Sequence, residues 1–235
     1  MRISRVARDE NGAALVEVSI MLSIMFVFVL GIIDYLFVFY QFNAARKALQ
    51  VGARIAAVST PVATGLSGLS QAVIDNNATC PSSPPETCVV GDPMPYYKAV
   101  CSSSGCSCSG ACFGVSGFTI AALRDIVFGR GRTACGAPSG AYSIGMCNVL
   151  PSIGLSNVVV TYEDGGLGSA GRAGGPVPVI TISLNSVPFR FFFLDTVMAY
   201  MGASNLSATT LPPLSTSTVA EDMCSAGPAG TPTAC

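Results

Sequence analysis

The chain contains no histidine. This removes His-based triads, His metal sites and the commonest general acid and base. Charge is scarce as well: 11% of residues are charged, against a typical ~25%. Lys plus Arg number 12 and Asp plus Glu 13, a net charge of −1. There is no basic excess to displace counterions from nucleic acid, so a nucleic-acid partner is not expected. Half of the 235 residues are hydrophobic, which excludes a disordered chain. No Cys-x-x-Cys, Gly-x-Ser-x-Gly or Walker-type loop is present. Gly166-x-Gly168-x-x-Gly171 follows a β-rich stretch, as a dinucleotide fingerprint would. The sequence Gly174-Gly175-Pro176-Val177-Pro178 then stands where that fingerprint needs a helix, so the glycines read as a hairpin loop. No cofactor or metal is expected, and no catalytic group.

What the chain has in excess is apolar sequence near its start. Val18 to Ile33 carries no charge, and up to Ala45 the only charged residue is Asp34. A helix over those 28 positions is about 42 Å long, enough to cross a ~30 Å hydrocarbon core. A secretory signal has a shorter apolar region, ~7–15 residues, and a small-residue cleavage site after it. The run therefore reads as a membrane-inserted helix. Arg2, Arg5 and Arg8 before it favour a cytoplasmic N-terminus. Arg46, Lys47 and Arg54 beyond it argue the other way. All ten cysteines follow the helix, which favours an oxidising, periplasmic location for the C-terminal part.

Residues Asn11 to Val18 read N-G-A-A-L-V-E-V. A basic leader ends at Gly12; Ala13 opens an apolar run that holds Glu17 at its fifth position. This looks like a prepilin leader, cut after the Gly. The bland reading is that Glu17 is an interfacial residue one turn inside the membrane edge. Three further stretches complete the pattern: the run S-I-M-L after Val18, G-I-I-D-Y over 31–35, and Q-F-N-A-A-R-K-A-L-Q-V-G-A-R-I-A-A over 41–57. Together they resemble the TadE-like family of minor pilins of the Tad (Flp) pilus system. Val18 stands where Tad prepilins usually carry Phe or Tyr.

The resemblance implies a minor pilin or pseudopilin, not an enzyme, that supports assembly of Tad-type pili for surface adhesion. It implies a prepilin peptidase acting between Gly12 and Ala13. It also implies that Glu17 pairs with an N-terminal amine of a neighbouring subunit; such buried pairs set register more than stability. The implied partners are the major pilin, other minor pilins, inner-membrane platform proteins and membrane lipid. The location would be the bacterial inner membrane, single-pass, with incorporation in the pilus as a further stage. The alternative is an uncleaved single-pass protein with a Cys-rich extracytoplasmic ligand-binding domain. An enzyme of unfamiliar type would have to draw on Glu163, Asp164 or Asp195.

Asp34 lies 17 residues past Glu17 and is expected near the far edge of the bilayer, in contact with water; a functional intramembrane carboxylate is the other reading. Ala44, Ala48, Gly52 and Ala56 repeat every four residues and allow close helix packing. That seam could face pilin helices or the chain's own domain, and the sequence does not choose.

The cysteines are Cys80, Cys88, Cys101, Cys106, Cys108, Cys112, Cys135, Cys147, Cys224 and Cys235. Structural disulfides are expected, since no His or zinc-like spacing accompanies them. Cys80–Cys88 and Cys135–Cys147 are easy local pairs, and Cys224–Cys235 would tie down the tail; sequence does not assign the pairing.

The expected fold is α+β: a long N-terminal transmembrane helix followed by a small antiparallel sheet with disulfide-rich loops. The expected divisions are a leader over 1–12, the helix over 13–58, a domain over 59–219 with a Cys-rich insertion at 80–147, and a flexible tail over 220–235. Within the domain, Pro61 ends the long helix, and a short helix is expected within 61–76. A second is expected at 118–128, stopped by Gly129. Strands are expected at 158–163, 179–185 and 205–211, the last closed by Pro212 and Pro213. Phe189, Phe192, Phe193, Val197 and Tyr200 share a helical face, expected to pack as a core element rather than lie on a membrane surface.

Overall fold

In a computed structural model of the chain, the residues described are 10–82, 84–137, 144–189, 191–200, 202, 210–220 and 223. Cys224 and Cys235, residues 203–209, most of the leader and most of the tail lie outside them. The chain divides into two compact units. One comprises residues up to Gln41 together with Phe189–Thr209; the other comprises Phe42–Pro188 and Thr210 onward.

Helix α1 (Glu10–Ala57) runs through both. No proline interrupts it, and Pro61 marks the exit of the chain from the helix. Arg54 sits in its last turn, where a cation meets the negative end of the helix dipole. In the first unit, α1 is apolar and exposed, and α5 (Leu194–Tyr200) lies in the same unit.

The second unit is the α+β domain. Its elements are β1 (Ala63–Thr64), α2 (Leu69–Asp75), β2 (Thr79–Cys80), β3 (Glu86–Thr87), β4 (Tyr97–Ser102), β5 (Gly105–Gly110), β6 (Gly117–Phe118), α3 (Ile120–Phe128), α4 (Met146–Val149), β7 (Val158–Asp164), β8 (Pro178–Leu184) and β9 (Leu214–Val219). Five of the strands form an antiparallel sheet in the order β5-β4-β7-β8-β9. The core face follows from the period-2 alternation of β-branched residues. Val158, Val160 and Tyr162 of β7 are fully buried, opposite Leu184, Ile182 and Ile180 of β8. Tyr97, Ala99 and Cys101 continue that face on β4.

The C-terminal part of α1 supplies Ala45, Ala48, Leu49, Ala53 and Ala56 to this core. Gly52 shows how close the approach is. A Cβ built there would stand 2.6 Å from the Met146 Sδ and 3.4 Å from the Ile182 Cδ1. The small-residue seam Ala44, Ala48, Gly52 and Ala56 is thus buried within the chain's own domain. A buried hydrogen bond closes the helix exit: the Val62 N–H donates to the Tyr162 hydroxyl at 3.0 Å.

The strand expected at 205–211 falls largely outside the described residues; among those described, the last strand is Leu214–Val219, after Pro212 and Pro213. β9 is an edge strand of alternating Ser and Thr, so it lacks the apolar alternation that marks β7 and β8. The Phe-rich segment is not a core element: it belongs to the first unit, its helix begins only at Leu194, and Phe192, Val197 and Tyr200 are exposed.

Candidate functional site

The first unit holds the feature that needs a functional explanation. From Leu15 to Tyr40, α1 exposes large apolar side chains on every side, among them Met21, Phe26, Phe28, Ile32 and Phe39. Phe28 is 69% exposed and Val27 68%. A helix that is apolar all round is stable only in lipid or in a bundle of like helices. The two serines inside the run are satisfied by the helix itself. Ser19 Oγ donates to the Val16 carbonyl at 2.8 Å, and Ser23 Oγ to the Ser19 carbonyl at 2.9 Å. Such internal satisfaction is what a lipid environment demands.

Two carboxylates remain, and the structure treats them differently. Glu17 is exposed, and among the described residues it makes no salt bridge. It stands five residues past Gly12, within α1. Gly12 and Ala13 fall in the first helical turns.

Asp34 is buried, at 2% exposure, which corrects the expectation that it meets water. Its Oδ1 accepts from the Phe192 N–H at 2.8 Å and the Phe193 N–H at 3.0 Å. Its Oδ2 accepts from the Leu194 N–H at 2.6 Å. These N–H groups open α5, where no helical carbonyl precedes them as acceptor. Asp34 therefore caps α5 from another helix, and the helix dipole favours an anion there. Phe192 also meets Phe37 edge to face, with ring centroids 6.5 Å apart.

In the second unit the cysteines form four pairs at disulfide distance: Cys80–Cys88, Cys101–Cys106, Cys108–Cys112 and Cys135–Cys147. Cys101–Cys106 bridges directly opposed residues of the β4–β5 hairpin. None of the described cysteines is free. Among the described residues, no group of three or more His, Cys, Asp or Glu side chains is placed to hold a metal ion.

Of the carboxylates named as enzyme candidates, Glu163 and Asp164 have structural partners, whereas the buried Asp195 Oδ1 has no hydrogen-bond partner among the described residues. Glu163 accepts from the Tyr96 hydroxyl at 2.9 Å and pairs with Lys98 at 3.2 Å. The Tyr96 hydrogen bond, with Lys98 beside it, holds the Glu163 carboxyl below its usual range. Asp164 accepts from the Gly166 N–H at 3.2 Å and shapes the β7–β8 loop. That loop contains the Gly166, Gly168, Gly171 triplet, and the strands it joins are antiparallel neighbours, so it is a hairpin connection. Burial pushes the Tyr162 phenol well above its ordinary value of 10.0.

The combination defines a class: a protein with one N-terminal helix long and apolar enough to span a membrane, leading into a disulfide-stapled antiparallel domain. The family model TadE, a TadE-like protein, matches residues 12–54. The matched span runs from Gly12 through the exposed apolar part of α1 and into the buried seam. Comparison with curated proteins and with solved structures returned no match.

Proposed function

We propose that the chain is a minor pilin or pseudopilin that supports assembly of Tad-type pili. The observation that carries this is the TadE-like segment 12–54 lying on a helix whose first half is apolar on every side. On this reading the helix waits in the inner membrane with its leader in the cytoplasm and its domain in the periplasm. A prepilin peptidase cuts after Gly12. The freed helix then exchanges lipid for the helices of the major pilin and other minor pilins. TadE-like pilus proteins are non-enzymatic as a kind, so the domain acts by contact.

Glu17 has a defined part in that exchange. A carboxylate in hydrocarbon costs ~2.5–3.5 kcal/mol or more at mid-bilayer. Pairing with the α-amino group of a neighbouring subunit offsets that cost and fixes register. The test is complementation of cells lacking this chain, scored by counting surface pili. Wild type restores pili; Glu17→Ala is expected to accumulate in the membrane without restoring them. Full restoration by Glu17→Ala would contradict the docking role. Unchanged piliation in the deletion strain would contradict the pilus role as a whole.

A further inference from the structure

We propose that residues 191–200 form a second membrane-contact element, an interfacial segment seated in lipid at the boundary farther from Glu17 and pinned there by Asp34. The proposal rests on α1 spanning a membrane, not on the pilus role.

The argument begins with depth. Counted from Val18, Asp34 stands about 24 Å along the helix and Tyr40 about 33 Å. The far boundary of a ~30 Å hydrocarbon core falls between them. Tyr35 and Tyr40 are both exposed at this level, where aromatic side chains with a polar tip concentrate. Asp34 is then just inside the hydrocarbon, where a bare carboxylate is unfavourable. Its neighbours do not leave it bare: three backbone N–H groups converge on it from 192–194. Those groups would themselves be unsatisfied in lipid, so each side of the contact meets the other's need.

The chemistry of the segment fits the same place. It reads F-F-F-L-D-T-V-M-A-Y, with Asp195 as its only charge. Phe192 is 67% exposed, and Leu194, Val197 and Tyr200 are exposed beside it. The Phe37–Phe192 ring contact makes this surface continuous with the apolar surface of α1. A soluble surface would not favour such a patch next to a membrane-spanning face; a bilayer would cover both. Lipid is therefore the occupant that the continuity and the depth favour.

The chain lacks tryptophan, so a single introduced indole reports alone. The full chain is reconstituted in phosphatidylcholine vesicles as Phe28→Trp, Phe192→Trp, Tyr200→Trp and, in the sheet domain, Tyr96→Trp. Each is read for emission wavelength and for quenching by lipids brominated along the acyl chain. Phe192→Trp and Tyr200→Trp are expected to emit to the blue of Tyr96→Trp. Both should lose intensity most to lipids brominated near the headgroup, whereas Phe28→Trp loses most to deep bromines. Adding Asp34→Ala is expected to reduce quenching at 192 and 200 and leave it unchanged at 28.

Quenching at 28 with none at 192 or 200 would overturn the proposal while sparing the spanning helix. No quenching at 28 would overturn both. Blue emission at 192 and 200 without bromine quenching would place a second copy of the chain there instead of lipid. Unchanged quenching in Asp34→Ala would overturn the pinning role.

Discussion

The two halves of α1 belong to one continuous helix and have opposite surfaces. Before Gln41 the side chains are large and exposed; after it Ala45, Ala48, Leu49, Ala53 and Ala56 are small or well fitted and buried. The serines of the first half are satisfied within the helix, which suits lipid. The second half lies so close to Met146 and Ile182 that a Cβ at position 52 would force the Met146 side chain to shift. The second half also carries Arg46, Lys47 and Arg54 on its exposed side, and its buried face differs from the first half in side-chain size: bulk is tolerated where the solvent is fluid hydrocarbon, and excluded where a rigid core presses close.

The sharpest way to test this contrast is one truncation made twice. Ile182→Ala removes a fully buried core side chain and is expected to destabilise the sheet domain by ~2–5 kcal/mol, read by thermal unfolding of the full chain in detergent. Ile32→Ala truncates a side chain 59% exposed on the first half of α1 and should leave that transition in place. Equal losses would break the comparison.

Removing the Cys135–Cys147 bridge by a double Ser substitution is expected to cost ~2–4 kcal/mol in the same assay, without changing membrane extraction of the chain. Gly52→Val places methyl groups where Met146 already stands, and overpacking should cost ~1–3 kcal/mol. Gly31→Val, at a position with nothing within 4 Å, should have no such effect.

The smallest expected effect is confined to alkaline pH. The Tyr162 phenol is raised by burial above its ordinary value of 10.0. The native state therefore holds this proton where the unfolded state releases it. Its contribution is full below pH 10 and declines as pH rises from there toward the raised native value. Urea midpoints followed across that window should fall with pH. In Tyr162→Phe they should fall less steeply, from a starting point lowered by loss of the Val62 hydrogen bond.

How much of this was legible in the sequence depended on whether the signal was local. β7 and β8 announce themselves by alternating Val and Ile, and α3 by apolar residues at helical spacing before Gly129. β4 and β5 are hidden, because Cys, Ser and Gly dominate β5 and a Cys-rich stretch of that kind carries the signature of a loop. β9 is hidden by its Ser and Thr, as befits an exposed edge. The cap on Asp34 is illegible for another reason. Its donors lie about 160 residues further along the chain, and nothing local to Asp34 announces them. The Gly12–Glu17 spacing is a linear pattern of residues and lies within the segment that the TadE-like family model matches.

The central claim is that α1 is a prepilin-type helix. It is tested most directly by intact mass and N-terminal sequencing of the chain from its native membrane, beside the Gly12→Ala variant. The account predicts a mature chain beginning at Ala13, and accumulation of the unprocessed chain in the variant. A native chain that keeps residues 1–12 would contradict it, leaving Glu17 an interfacial residue of an uncleaved membrane anchor.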